Sequence, residues 1–158
     1  MKNRVKQYSS EQRQVLNTWT KIVRCVGSVG QSDFLIMTDH GLTPTQFGIL
    51  ETLYHKGSMC QKELGEKLLK SGGNITKVID NLERDNHVRR VRDERDRRYF
   101  KIELTENGIK VIEEVFPKIM NNLVKYFSVL TQDEQKTLAD LSKRVGLSLK
   151  GKRNDSKS

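Results

Sequence analysis

Six arginines crowd one short stretch of this chain: Arg89, Arg90, Arg92, Arg95, Arg97 and Arg98. Only the acids Asp93, Glu94 and Asp96 lie among them, and the strand-like runs Val88 to Arg92 and Tyr99 to Leu104 bracket the turn. Exposed ion pairs contribute about 0–1 kcal/mol each, so a purely structural hairpin gains little from such density. An arginine-tipped ribbon is suited to the narrow minor groove of DNA, where the negative potential is enhanced. Asp96, two residues before Arg98, is placed to accept from its guanidinium and keep it aimed. The competing reading is a solvated charge cluster that pairs within itself.

Immediately upstream, Ser71, Gly72 and Gly73 make a turn into a helix whose apolar residues Ile75, Val78, Ile79 and Leu82 share one face. That spacing leaves Asn74, Lys77, Asn81 and Arg84 outward, with Thr76 at the flank. The first turn of a helix presents backbone N–H groups that suit a phosphate oxygen, and the two glycines let the backbone come close to DNA. The amides of Asn74 and Asn81 can pair with an adenine edge, Lys77 can reach guanine, and Thr76 can meet a thymine methyl or a phosphate. The helix breaks at Asp85-Asn86. Followed by the basic hairpin, it reads as the recognition helix and wing of a winged helix-turn-helix.

Other elements must hold that pair in place. Thr43, with Pro44 at the first helical position and Gln46 three residues on, predicts a capped helix with Phe47, Leu50, Leu53 and Tyr54 inward, stopped by Gly57. Ser58 and Gln61 predict a second capping box, opening a short helix with Leu64 and Leu68 inward. These two helices and the recognition helix give the three-helix plan of a helix-turn-helix.

Flanking them is more helix than a small domain can bury. From Glu11 to Asp39, Val15, Leu16, Trp19, Ile22, Val23, Val26, Val29, Phe34 and Leu35 recur at helical spacing, with a bend or break expected near Gly30. After the wing, Thr105 caps a helix carrying Ile109, Ile112, Phe116, Ile119, Leu123 and Phe127, and Pro117 should kink it. Thr131 and Glu134 open a last helix through Leu138, Leu141 and Val145. The surplus apolar surface predicts a dimerisation module. The expected fold is mainly α with a small β-wing, one domain over 1–150. Within it, about 41–104 is the winged helix-turn-helix, and about 10–40 and 105–147 are dimerisation helices. The basic segment 151–158 is expected to be a disordered tail.

The bulk composition agrees. A net charge of +9 and a pI near 9.6 predict a polyanionic partner, nucleic acid ahead of a membrane surface. Two cysteines are too few for a disulfide framework or a zinc site, and the polar N-terminus has no apolar core like a signal peptide. No apolar run approaches the roughly 18 residues of a membrane span. A soluble, cytoplasmic, nucleoid-associated protein with no membrane partner is expected. There is no GxSxG, P-loop or HExxH, and His40, His55 and His87 have no metal-ligand spacing, so neither catalysis, a cofactor nor a metal is expected.

The segments LTPTQFGILETLYHKG and QKELGEKLLKSGGNITKVIDNLERDNHVRRVRDERDRRYFKIELTENG resemble the MarR family of bacterial transcription regulators. The D-x-R-D-x-R pattern appears as Asp93, Arg95, Asp96 and Arg98, and the L-T-E-x-G after the wing runs from Leu104 to Gly108. The likeness spans roughly residues 11 to 147. One local departure is Asn86-His87, where family members often have glycine and an apolar residue; asparagine tolerates the left-handed turn. The resemblance implies an obligate homodimer with its first, fifth and sixth helices at the interface and two winged modules reading a palindromic operator in double-stranded DNA. It implies that Arg98 enters the minor groove with Asp96 as its orienting partner.

The resemblance also implies a signal. Family members commonly release DNA when a small phenolic or carboxylate compound binds between the dimer and reading modules, for which Trp19, Phe34, His40, Tyr54 and His55 are candidates. The other family option is oxidation of a cysteine thiolate. Cys60 falls in the first turn of its expected helix, where the dipole lowers a thiol pKa, whereas Cys25 lies mid-helix on an expected interface. The plainer reading makes both buried structural cysteines. The expected function is a sequence-specific transcription regulator, a repressor released by a small aromatic ligand. A redox-sensing regulator and a nonspecific DNA-packaging protein stand as alternatives.

Overall fold

The computed structural model describes residues 8–68, 72–93 and 99–148. The elements in chain order are α1 (Ser10–Asp39), α2 (Pro44–Lys56), β1 (Met59–Cys60), α3 (Gln61–Lys67), α4 (Gly72–Arg84), β2 (Val88–Arg92), β3 (Phe100–Leu104), α5 (Glu106–Phe127) and α6 (Gln132–Ser148). The chain divides into two compact units, one ending at Met120 and one beginning at Asn121, so the boundary falls inside α5.

In the first unit, α1 opens on a capping box: Ser9 Oγ accepts from the Gln12 N–H at 3.1 Å, and Gln12 Oε1 accepts from the Ser9 N–H at 2.9 Å. The break expected near Gly30 does not occur, and α1 is one helix of 30 residues. A glycine costs a helix interior only about 1 kcal/mol relative to alanine, too little to interrupt an otherwise continuous hydrogen-bond ladder. Among its residues only Asp33 and Met37 are buried, and Val15, Leu16, Trp19, Ile22, Val23 and Val26 are all exposed.

The capping box of α2 is as expected, with Gln46 Oε1 accepting from the Thr43 N–H at 2.9 Å and Thr43 Oγ1 accepting from the Gln46 N–H at 3.3 Å. Gly57, at φ 77°, closes the helix. The buried face is centred on Gln46, Ile49, Leu50 and Leu53, at i, i+3, i+4 and i+7. Phe47 is half-buried and Tyr54 is exposed, so the stripe expected from the sequence is rotated. The tyrosine's hydroxyl instead donates to the Glu113 carboxylate.

α3 starts at Gln61, but its cap is not the one its sequence suggests. Met59 and Cys60 pair with Ile102 and Lys101 of β3, so Ser58 precedes a strand and does not cap a helix. The cap is Cys60, whose N–H donates to Glu63 Oε2 at 2.8 Å. The three-stranded antiparallel sheet has the order β1-β3-β2, with Val88 opposite Leu104, Arg90 opposite Ile102 and Arg92 opposite Phe100. Its base joins the helices in one core that includes Ile49, Leu50, Leu64, Ile75, Ile79, Leu82, Val88, Ile102, Ile112 and Val115, all under 2% exposed. Each such side chain contributes on the order of 1.5–3 kcal/mol when withdrawn from water.

Helix α5 passes Pro117 undivided. In the second unit, Thr131 and Glu134 form the expected box, and Gln135 Nε2 closes the turn by donating to the Phe127 and Leu130 carbonyls, each at 3.1 Å. No residue of α6 is buried, and Leu138, Leu141 and Val145 are exposed. Among the described residues no helix is long and apolar enough to cross a membrane.

Candidate nucleic-acid interface

The amphipathic pattern of α4 is realised as read. Ile75, Ile79 and Leu82 are fully buried and Val78 is half-buried, while Asn74, Lys77 and Arg84 are exposed and Thr76 and Asn81 are half-buried. Gly72 begins the helix. Ser71, Arg95, Asp96, Arg97 and Arg98 lie outside the described residues, as does the segment 151–158.

Contacts around α4 alter what its face can do. Arg84 Nη1 donates to Asn81 Oδ1 at 3.2 Å, and Arg84 Nε to Asp85 Oδ1 at 3.0 Å. Bidentate adenine recognition uses both the oxygen and the nitrogen of an amide. The Asn81 oxygen already accepts from Arg84 and keeps a second lone pair, so adenine pairing at this position would share that oxygen with Arg84. Thr76 Oγ1 accepts from Gln61 Nε2 at 2.6 Å, which pins the start of α3 to the outer flank of α4. Gln61 is the first residue of α3, and its spacing from Ser58 suggests a capping role only, with no sign of this contact.

The hairpin's charge is used in two ways. Arg89 pairs with Glu103 at 3.2 Å, and Lys101 with Asp93 at 2.9 Å. Arg90 pairs with both Asp80 and Glu83 of α4. The expectation that so many arginines had little structural use is therefore corrected for two of them: a backbone that sets acids of α4 and β3 beside these strands makes internal pairs that a linear count cannot reveal. Arg92 remains exposed, its guanidinium carbon 5.4 Å from the Phe100 ring centroid, a cation–π geometry.

The end of α4 is tied to the start of α5. Asn86 takes φ 54°, the left-handed conformation that asparagine tolerates, and the His87 N–H donates to the Leu82 carbonyl at 2.8 Å. Thr105 Oγ1 donates to the Asn86 carbonyl at 2.6 Å and accepts from the Gly108 N–H at 3.0 Å. The Thr105 N–H donates to the His87 carbonyl at 3.1 Å. The residues of L-T-E-x-G after the wing thus make one knot that seats the recognition helix.

The effector candidates separate. His40 Nδ1 lies 2.8 Å from the Ile36 carbonyl and Nε2 lies 3.0 Å from Glu114 Oε1, which Lys118 Nζ also approaches at 2.9 Å. Both ring nitrogens face acceptors, and the hydrogen bond to Glu114, helped by the Ile36 carbonyl, raises the His40 pKa above its usual 6.5. The same hydrogen bond, with Lys118 beside it, lowers the Glu114 carboxyl to about 2. Tyr54 donates to Glu113 Oε1 at 3.1 Å, and His55 packs edge-on against Tyr54 and Phe116, with centroids 5.3 and 4.8 Å apart. Helix α5 therefore gathers His40, Tyr54 and His55. Trp19 and Phe34 are exposed on α1. Tyr54 also borders an open cavity of about 410 Å³ with Ser58, Glu103 and Ile109. Neither cysteine is buried as expected: Cys25 is exposed on α1, and Cys60 is half-buried at the cap of α3.

A family model described as MarR family matches residues 42–100, from the loop before α2 to the start of β3. Over 111 residues the chain is 39% identical to the HTH-type transcriptional regulator MhqR of Bacillus subtilis, covering 70% of this chain and 77% of that protein. It is 33% identical over 137 residues to the uncharacterized HTH-type transcriptional regulator YkoM of the same organism, covering 87% of this chain and 89% of that one. Its fold is similar to that of a MarR family protein from Bacillus stearothermophilus, with a TM-score of 0.67 and 26% identity over 90% of this chain and 99% of the other.

Proposed function

Because the chain belongs to the MarR family and is a DNA-binding transcriptional regulator, we propose that it acts as a homodimer that represses transcription from a palindromic operator. The observation that carries this reading is the outward face of α4, with Asn74 and Lys77 exposed beside a basic hairpin tied to the same helix. The face chooses sequence in the major groove, and the wing enters the flanking minor groove through Arg98, oriented by Asp96, with Arg92, Arg95 and Arg97 beside them. Residues 41–104 form the reading module, and 10–40 with 105–147 the dimerisation module. The exposed apolar rows on α1 and α6 support that division, since such surface on a chain this size calls for a partner. The two recognition helices of a dimer would then meet half-sites about one turn, roughly 34 Å, apart.

Release is by a small aromatic effector. The gathering of His40, Tyr54 and His55 along α5 supports it, since a ligand competing for Glu113 or Glu114 would loosen the junction between α1, α2 and α5. Gel shifts with random DNA and with the promoter region of the protein's own gene, repeated with added phenols, test both statements. Equal affinity for the two DNAs would reject sequence-specific regulation.

A further inference from the structure

Arg90 belongs to the most basic stretch of the chain, yet its chemistry is directed inward. Its Nη2 donates to Asp80 Oδ1 at 2.5 Å, its Nη1 to Glu83 Oε2, and its backbone N–H to Glu83 Oε1 at 3.0 Å. Asp80 and Glu83 lie three residues apart on α4, which puts their carboxylates on one side of that helix. A planar guanidinium can hold two carboxylates at once, a geometry lysine does not reproduce. One cation against two anions leaves the cluster net negative, so it repels a phosphate and is no DNA contact. The Arg90 side chain is 26% exposed, against 65% for Arg89 on the neighbouring position.

We propose that Arg90 is a positioning residue that locks the wing to the recognition helix, so that the two read DNA as one rigid unit. Arg92 lies two residues further on, hence on the same strand face, stacked over Phe100. With Arg90 clamped, the direction of Arg92 is set relative to Lys77 on α4. The spacing between the major-groove contact and the adjacent minor-groove contact is then built into the fold.

The proposal rests on the reading of β2 and β3 as a wing that reaches the minor groove, and its test separates the two. Full-length protein is bound to a duplex recovered by the wild type from a random pool. Hydroxyl-radical cleavage reports the minor groove, and dimethyl sulfate reports guanine N7 in the major groove. Arg90→Gln is expected to lose the minor-groove protection while keeping the dimethyl sulfate footprint, and Arg90→Lys to lose part of it. Arg90→Glu combined with Glu83→Arg and Asp80→Asn re-forms an ion pair with reversed charge and no facing carboxylate, and is expected to regain protection, which a merely destabilised wing would not. Arg90→Gln with unchanged protection, or equal loss of both footprints, would overturn the clamp. Failure of the reversed pair to regain protection would also overturn it and mark Arg90 as a DNA cation. A wild-type complex with an unprotected minor groove would instead overturn the wing reading itself.

Discussion

Gly108 lies directly against the main-chain carbonyl of His87: a Cβ at position 108 would fall 3.0 Å from the carbonyl carbon and 3.3 Å from the His87 Cα, and would collide with the oxygen. The obstacle is backbone, itself held by the Thr105 N–H, so it cannot swing aside as a side chain would. The first turn of α5 and the turn after α4 touch at van der Waals distance because this residue has no side chain.

Gly108→Ala should therefore destabilise the fold, although alanine is the better helix former. Overpacking of this kind costs about 1–3 kcal/mol, more than the roughly 1 kcal/mol gained in helix propensity. A lower urea midpoint at unchanged slope is the expected result. An unchanged midpoint would mean α5 shifts freely away from His87.

The His40–Glu114 pair predicts a pH dependence with a definite sign. The His40 pKa is raised above 6.5, so its contribution is complete below 6.5 and is lost as pH rises through the higher folded value. Glu114 is lowered from 4.5 to about 2, so its contribution is present above 4.5 and lost as pH falls through about 2. The pair is strongest between those limits. Glu114→Gln should be less stable than the wild type near about pH 5–6, with the gap narrowing to the Lys118 contribution as pH rises through the raised His40 value. A gap independent of pH would show that the histidine does not titrate in this contact.

If Arg98 serves DNA alone, Arg98→Ala should weaken binding to the selected operator strongly while leaving the thermal midpoint within about 1–2 °C of wild type. A large fall in midpoint would assign this arginine a structural task.

Lys77→Ala should relax base preference at one operator position, at about 1–3 kcal/mol of discrimination, with little change in salt dependence. The converse outcome, a shallower salt slope with preference intact, would make Lys77 a phosphate contact. For the wild type, binding should fall steeply and linearly in log salt, as counterion release requires.

Some of this was legible because it depends on near neighbours. The spacing of Ile75, Ile79 and Leu82 defines a buried face from helix geometry alone, and Thr43–Gln46 and Thr131–Glu134 are boxes whose members lie three residues apart. Where near neighbours compete with distant ones, local spacing does not decide the outcome. Ser58 and Gln61 have the spacing of a box, but a strand some forty positions away claims Met59 and Cys60 and moves the cap to Cys60. The two glycines of α1 suggested a break that local propensity was too weak to produce.

By itself, then, the sequence determined the helices, the strands of the wing and the basic face, because periodicity, capping and charge are properties of adjacent residues. Only the tertiary structure decided which partner each charge meets. Arg90 and Arg92 look alike in the chain, yet one meets Asp80 and Glu83 across the wing–helix contact while the other lies over Phe100. A cation's partner is set by distance in space, and α4 and β2 acquire theirs only when Leu82 and Val88 are buried in the same core.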